Sequence, residues 1–185
     1  MKYLNVPGLY NSGPQHWQTI WENNFPEAFS RVEQNDWIQP LKDEWVEKLN
    51  ESIQLLEEPT ILIAHSLGCI TVAHWAESFT SPFVKGALLV APADVERSAK
   101  DCFKTFSPVP LNKLSVPSVL IASTNDHYCE IHRAARWAAY WGSKFVCVGD
   151  KGHINSDSNL REWSEGLYYL KSELHSEQIK YRTAI

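Results

Sequence analysis

Apolar residues along this chain fall into short continuous runs, separated by longer stretches in which they recur every three or four positions. Ile61-Leu62-Ile63-Ala64, Ala87-Leu88-Leu89-Val90 and Val119-Leu120-Ile121-Ala122 are unbroken, as strands covered on both faces should be. With their flanks these runs predict strands over Lys2 to Val6, a brief one near Arg31 to Glu33, Thr60 to Ala64, Val84 to Val90, Ser118 to Ala122 and Lys144 to Val148. The helical period is carried by Pro14 to Asn24, Leu41 to Leu56, Leu67 to Phe79, Ile131 to Trp141 and Leu160 to Leu174. Trp17 and Trp21, and again Trp137 and Trp141, stand four apart and share a helical face.

Strands that alternate with helices in this way predict an α/β fold, a three-layer α/β/α sandwich with about six mainly parallel strands. The stretch from Asp94 to Pro117 is irregular, interrupted by Pro108, Pro110 and Pro117, with one short helix expected near Glu96 to Phe103. From about His175 the chain turns polar, and its last ten or so residues are expected to fray.

A length of 185 residues allows one substantial core, so one domain over 1–185 is expected. Apolar and charged fractions of 44% and 21% are those of an ordinary globular protein. The formal charge of −5, with no basic cluster, argues against nucleic acid and anionic membranes as partners. No apolar leader follows Met1-Lys2, and no run approaches the roughly 18 apolar residues of a membrane helix. Cys69, Cys102, Cys129 and Cys147 form no Cys-x-x-Cys pair and read as reduced thiols of a cytoplasmic protein. The seven histidines show no His-x-x-x-His spacing, and no metal or organic cofactor is implied.

The segment that changes this picture is Ile61-Leu62-Ile63-Ala64-His65-Ser66-Leu67-Gly68-Cys69. An apolar strand runs into a sharp turn with serine at its apex, and a helix follows, as in a nucleophile elbow. Such a turn needs small residues two positions either side of the serine, and Ala64 and Gly68 supply them. A serine hydroxyl is a weak nucleophile at neutral pH and needs a base. Beyond two later strands lie Asp126, in Ser123-Thr124-Asn125-Asp126, and His153, in Gly152-His153-Ile154-Asn155. The order Ser, acid, His suits this architecture, which gathers its sites at the carboxyl ends of parallel strands. Asp94 and Asp150 are the competing acids: the first opens the irregular stretch as a helix cap would, the second lies within the histidine's own loop.

An oxyanion needs two backbone donors. Leu67 follows the nucleophile, and the loop Val6-Pro7-Gly8-Leu9-Tyr10-Asn11 offers Leu9 first and Tyr10 next. Cys69 and Cys129 are alternative nucleophiles only by composition, since neither stands at the apex. His65 reads as structural, because adjacent side chains point in different directions. Tyr10, His16 and Trp17 adjoin the oxyanion loop as substrate contacts, His16 and Trp17 being balanced between rim and core.

Val-Pro-Gly after the first strand, His16-Trp17, Ala64-His65-Ser66-Leu67-Gly68, Ser123-x-Asn125-Asp126-x-Tyr128 and Gly152-His153-Ile154-Asn155 together resemble the retinoblastoma-binding protein 9 family of small α/β-hydrolases. The resemblance spans about Lys2 to Leu174 and implies a Ser66-Asp126-His153 triad with almost no lid. A retinoblastoma-type partner is not carried over, because Leu67-Gly68-Cys69-Ile70-Thr71 ends in threonine where the Leu-x-Cys-x-Glu motif needs glutamate. The expectation is therefore a serine hydrolase of carboxylesterase type acting on small acyl substrates through an acyl-enzyme. Thioesterase, aminopeptidase-like amidase and acyltransferase share that chemistry. A non-catalytic scaffold on the same fold is the alternative of a different class.

Overall fold

The computed structural model describes residues 1–175, so the fraying expected at the end of the chain lies outside the described residues. Six strands form one sheet: β1 (Lys2–Val6), β2 (Phe29–Arg31), β3 (Thr60–His65), β4 (Val84–Val90), β5 (Ser118–Ala122) and β6 (Lys144–Cys147). Their order is β2-β1-β3-β4-β5-β6, and every neighbouring pair is parallel. The helices are α1 (Trp17–Asn24), α2 (Lys42–Gln54), α3 (Leu67–Ser78), α4 (Ile131–Trp141) and α5 (Ser164–Tyr169). This is the α/β-hydrolase arrangement, reduced to a short chain.

Strand alternation divides the core in two. Leu4, Val6, Leu62, Ala64, Leu89 and Leu120 face one side, where α2, α3 and α4 bring Trp45, Leu49, Ile70, Trp137 and Trp141. Tyr3, Ile61, Ile63, Leu88, Val90 and Ile121 face the other, against Trp17 and Trp21 of α1 and Trp163 and Leu170 near α5. Burial on both faces is the physical reason that the central strands are continuously apolar. No described helix is long and apolar enough to cross a membrane.

Most boundaries fall within two residues of the sequence expectation, and four departures have a visible cause. The second strand lies two residues earlier, because Phe29 pairs with Tyr3 and stacks on its ring at 4.5 Å. Helix α1 starts at Trp17, after a turn closed by the His16 N–H on the Gly13 carbonyl. Helix α5 starts at Ser164 and not Leu160, because Asn159, Arg161 and Trp163 all take positive φ. The helix expected near Glu96 to Phe103 is instead a 3₁₀ segment over Asp101–Phe106.

The topology fixes the site. After β1 the chain moves outward to β2, then returns to the far side of β1 for β3. Loops leaving β1 and β3 therefore diverge, and a crevice opens at their carboxyl ends, the position where open α/β sheets bind ligands.

Candidate active site

Ser66 sits in that crevice, between β3 and α3, with φ 54° and ψ −121°. Few non-glycine residues tolerate such a backbone, which costs on the order of 1–3 kcal/mol and persists only where the surroundings impose it. The imposition is visible: the Ser66 N–H donates to the Val90 carbonyl at 3.0 Å. A Cβ on Gly68 would lie 2.1 Å from the Val6 carbonyl oxygen, so α3 passes against β1 with no room for a side chain. Gly8 is constrained in the same way, since its Cβ would meet Ser66 Cβ at 2.7 Å.

That close approach carries the loop after β1 up to the serine. The N–H of Leu67 opens α3, where the helix dipole favours negative charge. Among the described residues neither the Leu67 nor the Leu9 N–H has a hydrogen-bond acceptor, and Leu9 lines the crevice. Tyr10, the second choice for the other donor, is ruled out: its N–H is taken by the Trp37 carbonyl at 2.9 Å. The loop is clamped from behind by Arg31, which donates to Asn11 Oδ1 at 2.7 Å and the Ser12 carbonyl at 3.0 Å. Glu22 holds the same guanidinium.

His153 Nε2 lies 2.8 Å from Ser66 Oγ, and its Nδ1 lies 2.9 and 3.0 Å from the two Asp126 oxygens. The tautomer that satisfies both carries its proton on Nδ1, donates to Asp126 and accepts from the serine hydroxyl. Asp126 also accepts from the Tyr128 N–H at 2.8 Å, and the Tyr128 ring packs on His153 at 4.5 Å. The competing acids are engaged elsewhere. Asp94 is buried against Arg133, 3.1 Å from Nε, and Asp150 accepts from the Thr124 hydroxyl.

Two residues that sequence reasoning leaves without a role, Ser123 and Asn125, knit the loop bearing Asp126 to the loop bearing His153. Asn125 Oδ1 accepts from the Gly152 N–H at 2.7 Å, and Ser123 Oγ accepts from the Lys151 N–H at 2.9 Å. The only sequence signal for this is the clustering of short polar side chains just past β5. His65 also does more than fill space, for its Nε2 lies 2.9 Å from the His153 carbonyl. Burial, with His16 and His153 beside it, pushes the His65 pKa well below its ordinary value, so the ring is neutral and donates.

The crevice encloses about 220 Å³ and is walled by Leu9, Tyr10, His16, His65, Phe103 and Tyr128, among others. Tyr10 and His16 thus stand where a substrate contact should. Trp17 does not: it is 1% exposed, packed on Trp21 and Trp163, and belongs to the core. Phe103 forms part of the wall, whereas Phe106 is fully buried in the core against Trp45. Cys69 and Cys129 are buried, which drives both thiols far from ionisation, and neither has the thiolate character a nucleophile requires. The arrangement can abstract the Ser66 proton, deliver the oxygen to a carbonyl carbon, and hold the resulting oxyanion on two amides.

Comparison with known proteins gives a consistent result. The family model described as serine hydrolase matches residues 3–172. A protein of Pectobacterium atrosepticum described as a YdeN-like hydrolase is 34% identical, covers 94% of this chain and 90% of its own, and superposes with a TM-score of 0.85. The ydeN gene product of B. subtilis is 17% identical over 94% of this chain and 98% of that one, with a TM-score of 0.75. An esterase domain from Rhodothermus marinus is 18% identical over 91% and 86% of the two chains, with a TM-score of 0.63. These last two share the fold. No curated protein matches.

Proposed function

The chain belongs to the serine hydrolase family, and on that footing we propose that it cleaves small carboxylic esters through an acyl-enzyme on Ser66. The observation that carries this reading is the continuous relay from Ser66 Oγ through His153 to Asp126, at 2.8 and 2.9 Å. In the first half-reaction Ser66 Oγ attacks the acyl carbon while its proton passes to His153 Nε2. Asp126 stabilises the imidazolium that forms, and the N–H groups of Leu67 and Leu9 hold the oxyanion. Collapse breaks the bond to the alcohol oxygen, which leaves with the proton from His153. Water then repeats the sequence on the acyl-enzyme, and the acid departs.

The motifs shared with the retinoblastoma-binding protein 9 family support placement of the chain in that branch. A retinoblastoma-type partner forms no part of the reading, because Leu67 to Thr71 are buried on α3. Four free cysteines support a reducing compartment, and we assign the protein to the cytoplasm.

The deciding experiment is labelling with a fluorophosphonate, followed by turnover of aryl esters of rising acyl length. A crevice of about 220 Å³, over which the described residues build no large lid, should give modification of Ser66 and activity that declines beyond a few carbons. No labelling, or a maximum at long chains with interfacial activation, would overturn it.

A further inference from the structure

The crevice has a charge asymmetry that hydrolysis itself does not require. Among the described residues no carboxylate lines it, and Lys100 is the lining residue that carries a fixed charge. The acids nearest Lys100 along the chain, and the acid beside His153, are committed elsewhere. Asp101 pairs with Lys104 at 2.7 Å, and Asp94 and Glu96 both hold Arg133. Asp126 turns both oxygens to His153 and is 3% exposed. Lys100 has no acidic partner among the described residues. Its ammonium instead lies over the Tyr10 ring, 5.7 Å from the centroid, so the side chain reaches across from the irregular segment to the oxyanion loop. Such a contact steers an ammonium but satisfies none of its three donors.

The lysine is also anchored at its base. Its N–H donates to Ser98 Oγ at 3.2 Å, and its carbonyl accepts from the N–H of Phe103, a buried wall residue. In a protein of net charge −5, a half-buried cation facing an acid-free crevice opposes the overall field and is a local device for attracting anions.

We propose that the preferred substrates are esters that carry a carboxylate besides the scissile group, and that Lys100 is the side chain that binds it. This rests on the esterase reading above and narrows it to a substrate class. The carboxylate can belong to the acyl part or to the leaving alcohol, and the test separates the two.

Each anionic ester is compared with a neutral one of similar shape: monoethyl succinate with ethyl 4-methylpentanoate, and 4-acetoxybenzoate with 4-acetoxybenzamide. The quantity read is the ratio of kcat/KM, anionic over neutral, corrected for each ester's rate with hydroxide. In the unaltered protein the ratio should exceed one by about fivefold in one pair, the scale of a partly exposed ion pair. That pair identifies which part of the substrate bears the charge. The ratio should fall to about one in Lys100→Gln, drop below one in Lys100→Glu, persist in Lys100→Arg and decay with added salt. Ratios unmoved by Lys100→Gln and Lys100→Glu in both pairs, while neutral esters are still turned over through Ser66, would overturn the assignment to Lys100 alone. Turnover of none of the four esters would overturn the esterase reading and this inference together.

Discussion

The imidazole of His65 donates to the backbone carbonyl of His153 across 2.9 Å. Because the next residue, Ser66, meets the other end of that histidine at 2.8 Å, one dipeptide grips His153 at both backbone and ring. Replacing His65 by Phe keeps an aromatic ring, slightly larger, and removes the donor. Turnover should fall by up to about 10²-fold, the cost of a misplacement of about 1 Å, with KM little changed. His65→Gln, which can still donate, should recover part of the loss. Equal activity in both variants would assign His65 to packing only.

The relay predicts unequal penalties among the carboxylates. Asp126→Asn should lose about 10⁴-fold in turnover with the fold intact, and Ser66→Ala about 10⁶-fold. Asp94→Asn should retain turnover and lose stability instead, by about 1.5–3 kcal/mol for hydrogen bonds to a charged partner, here Arg133. Kinetics and urea unfolding of the three proteins, measured together, decide this. Collapse of turnover in Asp94→Asn beside near-normal Asp126→Asn would reverse the assignment.

Gly68 and Gly13 give a steric contrast. An added Cβ at Gly68 would meet backbone at 2.1 Å, whereas at Gly13 it would meet nothing within 4 Å. Gly68→Ala should therefore destabilise by at least about 3 kcal/mol, the upper end of overpacking costs, and Gly13→Ala should be close to neutral. Comparable unfolding midpoints for the two would contradict the close passage of α3 over β1.

Stability should depend on pH through buried neutral histidines. Burial, aided by Arg31 and His153, lowers the His16 pKa from the ordinary 6.5 to about 3, and His65 shifts in the same direction. Between those values the unfolded chain binds more protons than the folded one. Stability is thus fully present above about pH 6.5 and drains away as the pH falls toward 3. His16→Asn, which keeps an acceptor for the Gln18 N–H at the start of α1, should flatten that slope. A urea midpoint that stays level from pH 7 to 4 would contradict it.

Features set by near neighbours along the chain are legible in the residues themselves. Strand, serine turn and helix lie within nine residues, and the loops bearing Asp126 and His153 each follow an apolar run that reads as a buried strand. What escapes such a reading depends on partners far along the chain. His65 looks structural because its acceptor is 88 residues away. Trp17 is balanced between rim and core by its neighbours in sequence, and it is Trp21 and Trp163, closing around it, that commit it to the core. The late start of α5 follows from three left-handed residues, none of them glycine, whose cost is met by inserting Trp163 into the core. Lys100 carries no signal of its own, since a lysine in a proline-broken segment is ordinarily a solvated side chain.

The tryptophan cluster has an optical consequence. The indole N–H of Trp17 donates to the carbonyl of Ile154, the residue after His153, at 2.8 Å, and its ring lies 4.9 Å from Trp163. Trp163 in turn stacks nearly parallel to Trp21, at 9° and 5.9 Å. Chromophores at that spacing couple their transitions, and one of them is wired to the loop that presents His153. The protein therefore carries a native gauge of the loop that bears His153: displacement of that loop should register in near-ultraviolet circular dichroism and indole emission, with no label attached.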